Sequence, residues 1–131
     1  MKTYKFRALK DDMSNCNFVY GQLVYDAIGM PRITGIDKSG QGLLFHTCLK
    51  DTEGQFTGQL DKNGKEIYES DMVKFIDNTT NPEKPIECIT EVFWWGVMSC
   101  FALKNTHHEF NFTTVDEMEI IGNIHENPEL S

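Results

Sequence analysis

Short runs of aromatic and β-branched residues recur along this chain, and turn-forming residues separate each run from the next. Apolar residues hardly ever repeat with the spacing of a helix. This pattern is typical of an all-β protein, because strands are short and favour such side chains. The predicted strands are Tyr4 to Leu9, Phe18 to Val24, Gly42 to Cys48, Met72 to Ile76, Ile89 to Trp95, Val97 to Leu103 and Glu119 to Ile124.

Two glycines mark predicted turns between these strands. Asn63-Gly64 lies between the run 56–60 and Ile67-Tyr68. Asn and Gly adopt a positive φ at low cost, so this pair is the strongest hairpin signal in the chain. Gly96 separates two apolar runs and predicts a tight turn or a bulge.

Two other segments fall outside the strand pattern. Asp77 to Pro85 is polar and contains two prolines, which predicts an exposed loop. Thr114 to Glu119 predicts one short helical turn, capped by Thr114, with two acidic residues in its first turn. The predicted fold class is mainly β, a small SH3-like or meander barrel with additional hairpins and one short helix.

The length and the charge limit what the chain does. Its 131 residues predict a single domain over residues 1–131. Lys and Arg total 12 against 20 Asp and Glu, so the net charge is −8. A nucleic-acid binder needs a basic face, and an anionic membrane attracts basic segments. We therefore expect neither nucleic acid nor a membrane as partner.

Compartment signals point to the cytoplasm. The longest apolar stretch, Val92 to Leu103, is shorter than the roughly 20 residues of a membrane span. The N-terminal residues carry charge but no apolar segment of a signal peptide. We therefore predict a cytoplasmic protein whose cysteines are reduced and buried, namely Cys16, Cys48, Cys88 and Cys100.

One predicted strand departs from the usual alternation of apolar and polar residues. Val92-Phe93-Trp94-Trp95 is apolar at every position, so both faces of this strand should be covered. A loop of the same chain, another subunit or a partner protein would each provide that cover. The neighbouring aromatic residues Phe101, Phe110 and Phe112 are explained by core packing or by an interface.

No pattern predicts a catalytic or metal site. A calcium loop with Gly64 at its sixth position would have Gln59 first and Ser70 last, and neither supplies a carboxylate. His107-His108-Glu109 is the only tight cluster of possible zinc ligands, and adjacent histidines on a strand point to opposite faces. No nucleophile elbow and no glycine-rich nucleotide loop occurs. We expect no cofactor, no metal and no enzymatic activity.

Three blocks of the sequence resemble the YopX family of phage and prophage proteins. The first is Lys5-Phe6-Arg7-Ala8, and the most specific is Thr57 to Lys74, which contains Gly58-Gln59-Leu60-Asp61 and Glu69-Ser70-Asp71. The third runs from Ile120 to Leu130. Their order and spacing fit a full-length member of the family.

The resemblance implies a β-rich fold with a small barrel-like part, a prophage origin and no established biochemical activity. It supplies no catalytic residues. Where this chain has Ser70 the family pattern usually has Gly, and a serine argues against a positive φ at that position. The order of hairpin, turn at residues 68–71 and strand from Met72 is also similar to SH3-like barrels.

These observations favour a non-enzymatic protein-interaction or self-assembling module. Its expected partner is a second copy or a host or phage protein, bound through Phe93, Trp94, Trp95 and Phe101. One alternative is an acidic decoy that occupies a nucleic-acid-binding protein, since spaced carboxylates can mimic phosphates. Another is an SH3-like nucleic-acid-binding module with a basic patch from Lys5, Arg7, Lys10, Lys62, Lys65 and Lys74.

Overall fold

A computed structural model describes residues 5–11, 17–36, 43–77, 83–95, 100–103, 110–111 and 116–126. Every regular element in these ranges is a β-strand, which confirms the mainly β fold class. The strands are β1 Phe6–Leu9, β2 Phe18–Tyr25, β3 Pro31–Ile36, β4 Leu43–Thr47, β5 Gly54–Leu60, β6 Glu66–Tyr68, β7 Asp71–Asp77, β8 Ile86–Trp95, β9 Cys100–Leu103, β10 Phe110–Asn111 and β11 Asp116–Asn123.

The chain forms two compact units, an N-terminal unit of residues 1–56 and a C-terminal unit of residues 57–131. The single domain predicted over residues 1–131 stays a prediction, as does its SH3-like barrel. Each unit has its own apolar core.

The N-terminal unit is an antiparallel sheet in the order β4-β3-β2-β1, to which the first residues of β5 add along β1. Ala8, Ile33 and Cys48 form its buried centre, and Phe6, Val19 and Leu23 pack against them. Gly21 lies on this inner face of β2, where a Cβ would overlap the carbonyl oxygen of Thr34. Glycine at this position therefore permits the close pairing of β2 with β3.

The C-terminal unit contains an antiparallel sheet in the order β10-β9-β8-β7-β11, preceded by the β5–β6 hairpin. Its buried cluster is Ile67, Val73, Phe75, Val92 and Leu103. From Val73 onward the side chains of β7 alternate, because Val73 and Phe75 are buried while Lys74 and Ile76 are only half-buried. This is the period of two that one buried sheet face produces.

The predicted hairpin at Asn63-Gly64 is confirmed, since these residues join β5 to β6. The turn at residues 68–71 is also confirmed, with the Asp71 carboxylate accepting a hydrogen bond from the Tyr68 backbone N–H at 2.8 Å. Ser70 nevertheless adopts a φ of 74°, so the expectation drawn from serine at this position is wrong. The surrounding bonds hold it there, because Ser70 donates to Val92 and accepts from Ile124 through its backbone.

Some sequence predictions differ from the structure. The short helix is wrong over residues 116–119, which pair with β7 as part of β11, while Thr114 lies outside the described residues. The acidic residues of this segment resemble the start of a helix, but cross-strand pairing overrides that local pattern.

Strand β3 was not predicted, because Pro31 and Gly35 resemble turn residues. Proline is tolerated as the first residue of a strand, and Pro31 occupies that position.

The cysteine and loop predictions are confirmed in part. Cys48 is buried, whereas Cys88 and Cys100 are half-buried, and all three are free thiols. Cys16 lies outside the described residues. Within the predicted loop, residues 83–85 are exposed and belong to no strand, although Asp77 ends β7.

Candidate functional site

The four residues predicted to bind a partner lie on the adjacent strands β8 and β9. In the register of this pair, Trp94 is opposite Phe101 and Val92 is opposite Leu103. Directly opposed residues of an antiparallel pair share one face of the sheet, so these four lie on the face that forms the core. Val92 and Leu103 are buried, and the Trp94–Phe101 pair continues the same face toward the strand ends.

Trp94 and Phe101 are in direct aromatic contact. Their ring centroids are 5.0 Å apart and the ring planes meet at 73°, an edge-to-face arrangement. This geometry is a favourable one for aromatic pairs because the positive ring edge meets the negative ring face. Trp94 remains 51% exposed, so the pair is an ordered aromatic surface rather than a completed part of the core.

Phe93 and Trp95 occupy the opposite face of the same strand. Phe93 is opposite Ala102 and Trp95 is opposite Cys100 in the register of β8 and β9. Both aromatic side chains are half-buried, and Ala102 is fully buried. The structure therefore splits the predicted set, joining Trp94 to Phe101 and separating Phe93 and Trp95 from them.

The charge of the chain is concentrated in the C-terminal unit. Residues 57–131 contain five Lys and Arg and fourteen Asp and Glu, a net of −9. Residues 1–56 contain seven Lys and Arg and six Asp and Glu, a net of +1. The aromatic pair therefore belongs to a strongly acidic unit, and strand β8 itself carries Glu87 and Glu91.

The loop that resembles part of a calcium site has a structural role. The Asp61 side chain is buried and accepts backbone hydrogen bonds from Asn63, Lys65 and Ile120, at 2.8, 2.9 and 3.1 Å. Burial acts to raise the pKa of Asp61, but these three N–H groups outweigh it and lower the pKa below its usual value. The carboxylate is thus occupied by the protein backbone.

The thiols and the possible metal ligands show no catalytic arrangement among the residues that the structure describes. Burial raises the pKa of the Cys48 thiol and also that of Cys88, so both favour the unreactive protonated form. No group of three His, Cys, Asp or Glu side chains there is placed to hold a metal ion. The predicted His107-His108-Glu109 cluster lies outside the described residues.

The sequence reasoning missed a second exposed aromatic surface, on the N-terminal unit. Tyr20 and Phe45 are 53% and 59% exposed, and both point away from the core of that unit according to strand register. The strands that carry them pair through β3, which the sequence did not predict. The available signal was the alternation in β2, where Phe18, Tyr20, Gln22 and Val24 share one face.

The fold and these surfaces define an all-β protein with two strand units and exposed aromatic side chains on each. No helix in the part of the chain that the structure describes has the length and apolar character needed to cross a membrane.

The family follows from comparison with known proteins. Residues 5–130 match the family profile described as YopX protein, so the chain belongs to the YopX family. A comparison with curated proteins gives no match.

Proposed function

We propose that this member of the YopX family is a non-enzymatic protein-interaction module that binds its partner through the Trp94–Phe101 pair. The proposal includes a prophage origin and a cytoplasmic location. The observation that carries it is the half-exposed Trp94, held edge-to-face against Phe101 at 5.0 Å. Pre-ordered aromatic residues lose little conformational entropy on binding and are frequent energetic centres of interfaces.

The adjacent core supports the rigidity of this pair. Val92 and Leu103 are 1% and 0% exposed and form the neighbouring cross-strand pair on the same face. A partner that covers Trp94 would therefore extend an existing apolar surface instead of creating an isolated contact. Phe93 and Trp95, on the opposite face, support the strand from behind and are less suited to be the contact itself.

The acidic unit indicates the chemistry of the partner. A protein with an apolar pocket and a basic rim would complement an aromatic pair carried by a unit of net charge −9. A nucleic-acid-binding protein has such a surface, which connects this proposal to the acidic-decoy alternative. A second copy would bring like charges together, so self-assembly through this pair should strengthen as salt screens the repulsion.

The test compares two substitutions on one strand. Trp94 and Ile89 are both 51% exposed on β8, but they lie on opposite faces. Trp94→Glu should abolish binding, since loss of a central Trp typically weakens an interface by about 30-fold or more. Ile89→Glu introduces the same charge at the same exposure and should leave binding intact.

The measurement has two arms. Sedimentation velocity at about 1 to 100 µM protein, at low and high salt, detects self-assembly and its dependence on screening. Affinity capture from the native host, with wild type and both variants as bait, detects another partner. A wild-type chain that stays monomeric and captures the same proteins as Trp94→Glu would refute the proposal.

A further inference from the structure

The N-terminal unit presents a face of mixed aromatic and cationic character, independent of the surface just proposed for protein binding. We call it the outer face, and it comprises the β2–β4 side chains opposite the core of that unit. In the register of these strands, Gln22 is opposite Thr34 and Val24 is opposite Arg32, and β4 continues these two rows with Phe45 and Thr47. Phe18 and Tyr20 lie on the same face of β2.

Two aromatic rings stand at separate places on the outer face. Phe45 lies on β4 and Tyr20 on β2, two strands away and two residues further along the strand direction. Strand spacing and rise place their Cα atoms about 12 Å apart. Both rings are more than half exposed, at 59% for Phe45 and 53% for Tyr20. Each can therefore offer a ring surface to a flat ligand.

Cations already stack on aromatic rings beside the outer face. The Arg7 guanidinium lies 4.1 Å from the centroid of the Phe18 ring, and Phe18 is 6.5 Å from Tyr20 between centroids. The Lys5 ammonium lies 5.9 Å from the centroid of Phe56. Arg7 is itself buried, at 6% exposure, so its charge stays within the sheet, and Arg32 is the cation of the outer face that can meet an anion.

Carboxylates are kept off the strands of this sheet. None of β1, β2, β3 and β4 contains Asp or Glu. Among the residues that the structure describes, Asp26 forms an ion pair with this face, its carboxylate lying 3.5 Å from Arg32 Nη2. The Arg32 side chain is still 43% exposed, and its buried Nε–H has no acceptor, so Asp26 uses only part of the guanidinium.

We propose that the outer face binds single-stranded nucleic acid, with bases stacked on Tyr20 and Phe45 and a phosphate held by Arg32. Stacking needs unpaired bases, because a duplex buries its base faces, and so the single-stranded form is favoured. Thr34 and Thr47 lie on the same face; the Thr34 hydroxyl donates to the Gln22 carbonyl at 3.5 Å and can still accept a hydrogen bond from the polar edge of a base. The net charge of −8 does not oppose this, since the excess of acidic residues belongs to the other unit.

The test uses a fluorescent oligothymidine of about ten nucleotides and the full-length chain, followed by anisotropy at about 50 mM salt. Tyr20→Ser should weaken binding by roughly 5- to 100-fold, the range expected for loss of one stacked base. Tyr25→Ser is the matched control, because Tyr25 is 56% exposed on the same strand but on the inner face. It should bind like wild type.

Arg32→Gln should weaken binding and lower the slope of log affinity against log salt by about 0.7, as expected for one lost phosphate contact on a single strand. Polyglutamate serves as an anion without bases and should bind much more weakly than the oligonucleotide. Absence of oligonucleotide binding, equal binding of polyglutamate, or equal effects of the two tyrosine variants would each overturn the proposal. Because these residues and Trp94 belong to different units and are tested by different variants, failure of this proposal leaves the proposed protein interaction untouched.

Discussion

Each unit contains a hairpin turn of the same design, and the comparison shows what tertiary context adds to it. In the N-terminal unit, Asp26 accepts backbone hydrogen bonds through Oδ1 from Ile28 and Met30, both at 3.0 Å. In the C-terminal unit, Asp61 Oδ1 accepts from the equivalent positions, Asn63 and Lys65.

The backbone of the two turns also matches. In each turn the backbone N–H of the Asp donates to the carbonyl of the fifth residue, and the Asp carbonyl accepts from the N–H of the fourth residue, which is a glycine with positive φ. Gly29 has a φ of 84° and Gly64 a φ of 81°. Both are three-residue hairpin loops of the kind in which glycine takes the left-handed position.

The second carboxylate oxygen distinguishes the turns. Asp61 Oδ2 accepts a hydrogen bond from the Ile120 N–H of β11, and the next residue, Lys62, donates to the Met118 carbonyl. Asp26 Oδ2 instead faces Arg32 at 3.5 Å near the surface. The Asp26 turn therefore only closes the β2–β3 hairpin, whereas the Asp61 turn also connects the β5–β6 hairpin to β11.

The largest predicted loss of stability comes from removing the Asp61 carboxylate, which distinguishes the two turns. Asp61→Ala removes the acceptor for three backbone N–H groups, one of them on another strand, and should lower the free energy of unfolding by about 3 kcal/mol. Asp26→Ala should cost clearly less, because water can replace its acceptor at the surface. Both tryptophans, Trp94 and Trp95, lie in the C-terminal unit, so denaturant unfolding followed by their fluorescence reports on Asp61 directly.

The pH dependence provides the control for this prediction. The pKa of Asp61 in the folded protein lies below its ordinary value of 3.8. Its contribution to stability is therefore complete above about pH 4 and is lost as the pH falls through the lower folded pKa. The stability difference between wild type and Asp61→Asn should therefore be constant above pH 4 and shrink below it. A difference that grows on acidification would contradict the role given to the carboxylate.

The turn glycines should show where the two units agree. Alanine at position 29 or 64 meets no atom within 4 Å, so only the left-handed backbone opposes it. Each substitution should cost about 1 kcal/mol, and the two costs should be similar. Hydrogen exchange of the flanking strands measures both. If Gly64→Ala left the stability unchanged, the turn would not need the left-handed backbone conformation at this position.

The smallest predicted effect is a gain in stability at the turn between β6 and β7. Ser70 holds a φ of 74°, which a glycine adopts without the cost that a Cβ imposes. Ser70→Gly should stabilise the C-terminal unit by about 0.5 to 1 kcal/mol in thermal or denaturant unfolding. Ser70→Ala keeps the Cβ and should give no gain, and equal stabilisation by both variants would contradict this explanation.

Local sequence patterns determined the β class, most strand positions and the turn at Asn63-Gly64, because strand propensity and turn conformation depend on neighbouring residues. The equivalent turn at Asp26 to Met30 was missed, since it lacks the Asn-Gly pair and depends on side-chain hydrogen bonds. The aromatic content of residues 92–95 was also evident in the sequence.

Only the tertiary structure decided which of these aromatic residues lie together. Strand register pairs Trp94 with Phe101 and turns Phe93 and Trp95 to the other face, and a shift of one residue would exchange them. The charges of −9 and +1 are sums over the sequence, and the structure adds only the boundary after Phe56 that divides them between two units. The register of β8 and β9 depends on contacts between separate strands, which the residues of one strand do not determine by themselves.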